Sequence, residues 1–326
     1  MGERHGLFHL WDQQSWIRTK PFRSGGLDGL PFSPDLVPLT KHSIFADDEE
    51  RRQRILAYRL LAHLTFTRTL ETEHVNPVCS ALANNKVHFE VNPVQREDAL
   101  HIYCDEAGHA LFVDRLAKVV TSAFGLDPGV VGIPQFTLVL ERIIEEHRDA
   151  LDPKIIRLFF CAVSETLVSK VLFGIPQDPA VASLVREVLH DHALDERVHG
   201  AYFHGLFATM WNALSAGERE AMGHVLPELV WTFLGPDREL ERSILLSFGI
   251  SQQDIPDILD EVYPPGDIGQ RVRQDARPTL RLFAAAGVME EPSIADEFSA
   301  YQLLDTDTPI DGTTNPGERL IWLTPV

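Results

Sequence analysis

The chain has 326 residues, 44% of them hydrophobic, enough apolar material to bury a substantial core as one large domain or two modest ones. With 29 basic and 48 acidic residues its formal net charge is −19, which disfavours nucleic acid and anionic membranes as partners. Three cysteines (Cys79, Cys104, Cys161) without a C-x-x-C pair support neither a disulfide framework nor a thiolate zinc site. With no signal-peptide core at the N-terminus and no run of about 18 apolar residues, the expectation is a reduced, cytoplasmic, globular protein.

Residues 1–45 are rich in Gly and Pro, with Trp11 and Trp16 interspersed, and read as an irregular arm lying against the body. From Asp47 onward the segments are long and of helical period. A first helix is expected from about Asp48 to Ala83 and a second from about Gln95 to Phe124, ended by Gly125. A short helix around Thr137 to Arg148 follows, then a third long one from Pro153 to Phe173, stopped by Gly174-Ile175-Pro176. The fourth opens at Asp178-Pro179, an N-cap followed by proline at the first helical position, and continues to about Leu214. Ser215-Ala216-Gly217-Glu218 is a capping box, and more helical segments lie between Pro236 and about Gly287. The tail from Pro292 holds too many Pro, Asp and Thr residues to assign. Strand-like alternation is scarce. The pattern predicts an all-α single domain over 1–326: the arm (1–45), a ferritin-like four-helix bundle (46–214), then additional helices and a C-terminal tail (215–326).

Two copies of D-E-x-x-H occur, Asp105-Glu106-Ala107-Gly108-His109 on the second helix and Asp195-Glu196-Arg197-Val198-His199 on the fourth. Chance at this composition gives on the order of 0.1 copies per chain, so the repeat is informative. Residues at i and i+3 lie about 60° apart around a helix. Each Glu and His therefore project to one side, a carboxylate and an imidazole suited to iron or manganese. Each motif helix follows another long helix with a candidate buried glutamate. Glu165 stands in an apolar stretch, where a carboxylate is costly to bury without a partner such as a metal ion. On the first helix both Glu71 and Glu73 qualify. Glu71 is preferred because it continues the stripe Leu60, Leu64, Thr67, Val78, although Arg68 one turn earlier offers it an ordinary ion pair. Glu73 follows Phe66, Thr69 and Leu70 on its own face.

The chain thus repeats a Glu, 33 residues and D-E-x-x-H, then a Glu, 29 residues and D-E-x-x-H. That is the di-metal carboxylate pattern, in which two metals together can reduce dioxygen by two electrons. Asp105 and Asp195, beside the motif glutamates, are assigned the free ring N–H of a ligand histidine across the bundle. His192, one turn before Glu196, falls within about 60° of arc with Glu196 and His199 and is a further ligand candidate. His190 points away.

These residues resemble the p-aminobenzoate N-oxygenases and the related arylamine oxygenases of chloramphenicol biosynthesis. The likeness rests on the repeated pattern, on the extra histidine of the last ligand helix and on Glu71-Thr72-Glu73-His74-Val75-Asn76-Pro77, and spans about residues 55–210. It implies two iron ions held by Glu71, Glu106, His109, Glu165, His192, Glu196 and His199, with Glu71 favoured over Glu73 by its interval to Glu106. It also implies dioxygen as co-substrate, an external electron donor, an amine substrate oxidised through the hydroxylamine, and a homodimer. Competing readings with the same metals are an acyl desaturase, a C–H hydroxylase, a ribonucleotide-reductase-like radical subunit and an iron-storage protein, the last fitting the long arm and C-terminal region poorly. The net charge opposes docking to an acidic acyl carrier, and nothing marks a partner-binding tail for the radical subunit.

Weaker signals have plainer readings. His74 imitates a further E-x-x-H but is expected as a packed or supporting histidine. Glu141, Glu145, Glu146 and His147 form a solvated helix face. Tyr103, one turn before Glu106, is expected to be packed rather than a radical site. Phe159, Phe160, Phe203 and Phe207 belong to the core, with Phe203 near the cavity. Arg271, Arg273, Arg277 and Arg281 offer a clamp for a substrate carboxylate, with nothing to select among them.

Overall fold

The structure, a computed structural model, describes residues 6–167 and 170–304. Among these the chain is all-α, and its one β pairing is an isolated parallel bridge between Leu30 and Val181. Helix α1 runs Glu49–Thr69, widens into a π-helical turn over Leu70–Val75 and continues as Asn76–Ala83. Then follow α2 (Pro93–Phe124), α3 (Gln135–Glu146), α4 (Pro153–Thr166) and α5 (Ser183–Asn212). The C-terminal part contains α6 (Ala216–Leu234), α7 (Arg238–Ser247), α8 (Ile255–Val262), α9 (Pro265–Ala285) and α10 (Pro292–Ala300).

The starts follow from capping. Asp48 accepts the Arg51 N–H at the head of α1, and Asn92 with Gln95, then Ser215 with Glu218, close capping boxes on α2 and α6. Gly125, at φ 56°, ends α2 in the left-handed conformation. The π turn in α1 also has a local cause. Pro77 lacks an N–H, and its ring crowds the carbonyl of residue 73, so the backbone ahead of it widens.

Two boundaries differ from expectation. The third long helix stops at Thr166, and Lys170–Gly174 is a separate short helix, rather than one helix to Phe173. The hydroxyls of Ser164 and Thr166 donate back to the carbonyls of Cys161 and Ala162, which favours termination over another turn. The fourth helix opens at Ser183, not at Asp178-Pro179. Asp178 instead accepts the Ala180 N–H in a tight turn, and the next residues are held extended by the arm: Leu30 N–H donates to the Ala180 carbonyl and Ala182 N–H to that of Leu30. Residues from Pro292 onward, unassigned from sequence, form α10; residues 305–326 of the expected tail lie outside the described residues.

The apolar side chains form two clusters. One gathers Val75, Cys79, Ile102, Phe159, Phe160, Phe203 and Phe207 with α6, α9 and α10; the other gathers Trp16, Leu56, Leu60, Leu64, Val113, Leu116, Val185 and Leu189 with α7 and α8. Helices α1, α2 and α5 each contribute to both, and the polar candidate residues sit where they pass from one to the other. A buried polar layer thus lies between two dry cores, where an unsatisfied carboxylate is most costly.

A separate buried ion pair ties α1 to the C-terminal helices. Arg59 donates to Glu241 at 2.8 Å, and the Tyr263 hydroxyl donates to the same oxygen at 3.1 Å. Glu241→Ala is expected to destabilise the protein by about 3 kcal/mol, because it leaves a largely enclosed guanidinium unpaired. The low end of that range applies, since the Arg59 side chain is 25% exposed. Chemical denaturation checks this, and a loss under half a kilocalorie, typical of a surface substitution, would contradict it.

Candidate metal centre

Seven buried side chains on α1, α2, α4 and α5 gather in the polar layer. Glu71 comes from the π turn, Glu106 and His109 from α2, Glu165 from the end of α4, and His192, Glu196 and His199 from α5. Two four-residue groups have ligand atoms all within 4.8 Å of one another: Glu71, His109, His192 and Glu196; and Glu106, His109, Glu196 and His199. His109 and Glu196 are common to both. One oxygen, Glu196 Oε1, lies 3.4 Å from His109 Nδ1, 3.1 Å from His192 Nε2 and 3.2 Å from His199 Nδ1. His192 Nε2 is also 3.1 Å from Glu71 Oε1, and His199 Nδ1 is 2.9 Å from Glu106 Oε1. Glu165 stands outside both groups, but it is buried and its charge is felt by the same carboxylates.

The atoms that face this centre are short of partners. Among the described residues, both Glu106 oxygens, Glu71 Oε2, Glu165 Oε2 and the Nδ1 atoms of His109 and His199 are buried without a well-aligned hydrogen bond, close approaches such as His199 to Glu106 included. Orphaned donors and acceptors are rare in a protein interior, and so many converging on one point fit bound cations. Three imidazoles with four carboxylates suit iron or manganese.

The imidazoles and carboxylates of the cluster shift one another's titration. Burial pulls the pKa values of His109 and His199 down, but the carboxylates around them outweigh it and raise both well above the usual histidine range. Burial and neighbouring His109 lower His192, yet hydrogen bonds to Glu196 and Glu71 leave it at about 9. Burial lifts Glu71 to about 7 and Glu165 well above the carboxylate range, the latter with help from Glu196 and Glu106. Glu196 is held well below it, because His199, His109 and His192 overcome burial.

The far sides of the two motif histidines are fixed crosswise. His109 Nε2 lies 2.9 Å from Asp195 Oδ2, and His199 Nε2 lies 3.3 Å from Asp105 Oδ2, so each motif's aspartate backs the other motif's histidine. With Nε2 donating to an aspartate, Nδ1 is the nitrogen left for a metal.

Sequence reasoning gave the arm no part in this, and the structure does. Trp11 Nε1 donates to both oxygens of Asp105 at 2.8 and 2.9 Å, the Ser15 hydroxyl donates to Asp105 at 2.6 Å, and the Trp16 N–H donates to Asp195 at 3.1 Å. Lys20 and Arg23 pair with buried Asp191, next to His192. Gly108, inside the first motif, is where the arm comes closest: a Cβ there would collide with the Ile17 side chain. Isolated tryptophans and a glycine in a motif were the only signals available.

On the other side a cavity of about 1330 Å³ is lined by Glu71, Glu106, Glu165, His192 and Glu196, with Phe66, Leu70, Phe136 and Val139 among its apolar walls. The chain matches the family described as P-aminobenzoate N-oxygenase AurF over residues 11–287. The chain belongs to that family. The match to the p-aminobenzoate N-oxygenases is wider than the 55–210 legible as a resemblance and takes in the arm from Trp11 through α9. No curated protein matches the chain.

Other sequence candidates fall into place around the centre. Glu73 is exposed, and Arg68 pairs with Asp114 rather than Glu71. His74 is buried against Phe136 and Phe160, outside the ligand groups. Tyr103, expected to be packed, is 42% exposed because its helix presents that face to solvent. His190 is exposed, as are Glu141, Glu145 and Glu146, which pair with neighbouring arginines. Phe203 is buried in the core and is not part of the cavity lining. Of the four arginines only Arg271 lines the cavity, and Arg273 donates to the Leu304 carbonyl.

Proposed function

We propose that the chain is a non-haem diiron N-oxygenase that oxidises an amine, an arylamine first of all, through the hydroxylamine towards a nitroso or nitro product in specialised metabolism. One observation carries the reading: in a member of this family, two overlapping sets of buried carboxylates and imidazoles share His109 and Glu196 and open onto a cavity. Glu71, Glu106, His109, Glu165, His192, Glu196 and His199 would hold the two ions. When bound, they supply the electrons that reduce dioxygen.

The chain's own side chains do the rest. Asp195 and Asp105 keep the ring protons of His109 and His199 on Nε2 and so hold Nδ1 towards the centre. Phe66, Leu70, Phe136 and Val139 exclude water and offer flat apolar walls to an aromatic ring. In the first oxidation one oxygen atom enters an N–H bond, and the other leaves as water with two electrons from an external donor and two protons from solvent. A cytoplasmic homodimer served by such a donor completes the proposal.

The test is to load the protein with iron, reduce it, admit labelled dioxygen, and follow p-aminobenzoate and uncharged arylamines by mass spectrometry. Labelled hydroxylamine, nitroso or nitro products are expected. Two irons bound with no oxidised nitrogen would move the reading to C–H oxidation or radical chemistry, and failure to bind iron would end it.

A further inference from the structure

The long cavity carries a row of polar groups along one wall. Arg59, His63, Thr67 and Glu71 follow one another at four-residue intervals on α1, and all four line it. His63 stands two turns from Glu71, roughly 12 Å along the helix axis. A para-substituted arylamine with its nitrogen near Glu71 would reach that far. Among the described residues His63 Nε2, on the cavity wall, is buried without a hydrogen-bond partner, which leaves it open to a polar group of a ligand.

Resting on the N-oxygenase reading above, we propose that His63 recognises the substrate by hydrogen-bonding an uncharged polar group at the end remote from the reacting nitrogen, so that this chain selects a neutral arylamine over an aminobenzoate.

Charge points the same way. Burial above all, with the Arg59 guanidinium one turn away, holds the His63 pKa well below the usual histidine range, so the ring is neutral and can either donate to a carbonyl or accept from an amide. Arg59, the next group along the row, is already committed to Glu241. Away from the metal ligands, the described lining contains five carboxylates: Asp35, Glu228, Asp237, Glu241 and Asp275. Against them stand three guanidinium groups, of which Arg238 is paired with Asp260 outside the cavity and Arg271 is solvent-exposed. Two of those carboxylates are themselves paired, Glu241 with Arg59 and Glu228 with Arg142, so the lining opposes an incoming carboxylate with a modest excess of negative charge. The volume also exceeds the roughly 300–1,000 Å³ usual for a small-molecule site, room for more than a single substituted ring.

The experiment compares 4-aminobenzamide with 4-aminobenzoate by calorimetric titration of the iron-loaded, oxidised holoenzyme, alongside product formation. The amide is expected to bind at least tenfold more tightly. His63→Phe should lower that ratio severalfold, leaving only the part due to the acidic lining, and His63→Gln, which keeps a donor and an acceptor, should retain more of it. Iron content establishes that each variant is folded. Equal or tighter binding of the carboxylate, or a ratio unmoved by His63→Phe, would overturn the proposal. Tighter binding of the amide without oxidation of either compound would leave the recognition standing and remove N-oxygenation instead.

Discussion

Glu196→Ala is expected to abolish metal binding at both positions and to reduce oxygenase turnover by at least about a thousandfold, on the scale seen when a group essential to the chemistry is removed. The reason is its place in the cluster. A single oxygen, Oε1, stands within 3.4 Å of three imidazole nitrogens and belongs to both four-residue groups. Losing Glu71 or Glu106 would deprive one group of a ligand, whereas losing Glu196 deprives both. The metal-free protein should weaken as well, by about 3–5 kcal/mol, because the carboxylate that balances His109, His192 and His199 is gone and those rings stay buried. Glu73→Ala, on the exposed side of the same helix layer, should change stability by no more than about half a kilocalorie and leave metal content untouched. Metal analysis and denaturation with and without iron separate these outcomes. Two metals per chain retained by Glu196→Ala would show that the cluster does not work as one shared site.

The limits of the sequence reading are visible at single residues. The D-E-x-x-H repeat was legible because a three-residue spacing on one helix is local geometry, and no long-range contact can alter it. Period favoured Glu71 over Glu73 only weakly for a physical reason: the π turn over Leu70–Val75 inserts extra backbone just where Glu71 sits, so a stripe drawn at 3.6 residues per turn drifts across it. Pro77, the local cause, lies inside the helix expected from about Asp48 to Ala83 and was not read as a break. The end of α4 at Thr166 and the late start of α5 depended on side-chain hydroxyls and on Leu30 from the arm, and no helical pattern encodes either. The cavity needed α3, α6, α7 and α9 placed against α1, and periodicity carries no information about that packing. The arm was read only as an irregular segment lying against the body because its chemistry lies in single donors aimed at residues some ninety and 179 positions away.

That arm gives the second large expectation. Asp105→Asn should weaken metal affinity by about ten- to a hundredfold while leaving every direct ligand in place, as removal of a histidine's supporting carboxylate generally does. In the native protein Asp105 accepts from Trp11 and Ser15 and faces His199 Nε2. An amide can turn an oxygen to only one side, and its NH₂ then confronts Trp11, Ser15 or the imidazole, all of which are donors here. Removing one arm donor is milder for the metal: Ser15→Ala deletes one hydrogen bond to Asp105 but leaves the carboxylate and Trp11 in place, so affinity should fall by less than about tenfold. Gly108→Val should act on the same support from the other side by pushing Ile17, and with it the Trp16 amide, away from the motif helix. Competition of each variant with a metal-binding dye orders the effects. The order Asp105→Asn above Gly108→Val and Ser15→Ala would make the arm a structural part of the metal centre. Affinity unchanged in all three would mean that α2 and α5 orient His199 and His109 unaided, with the arm as mere cover.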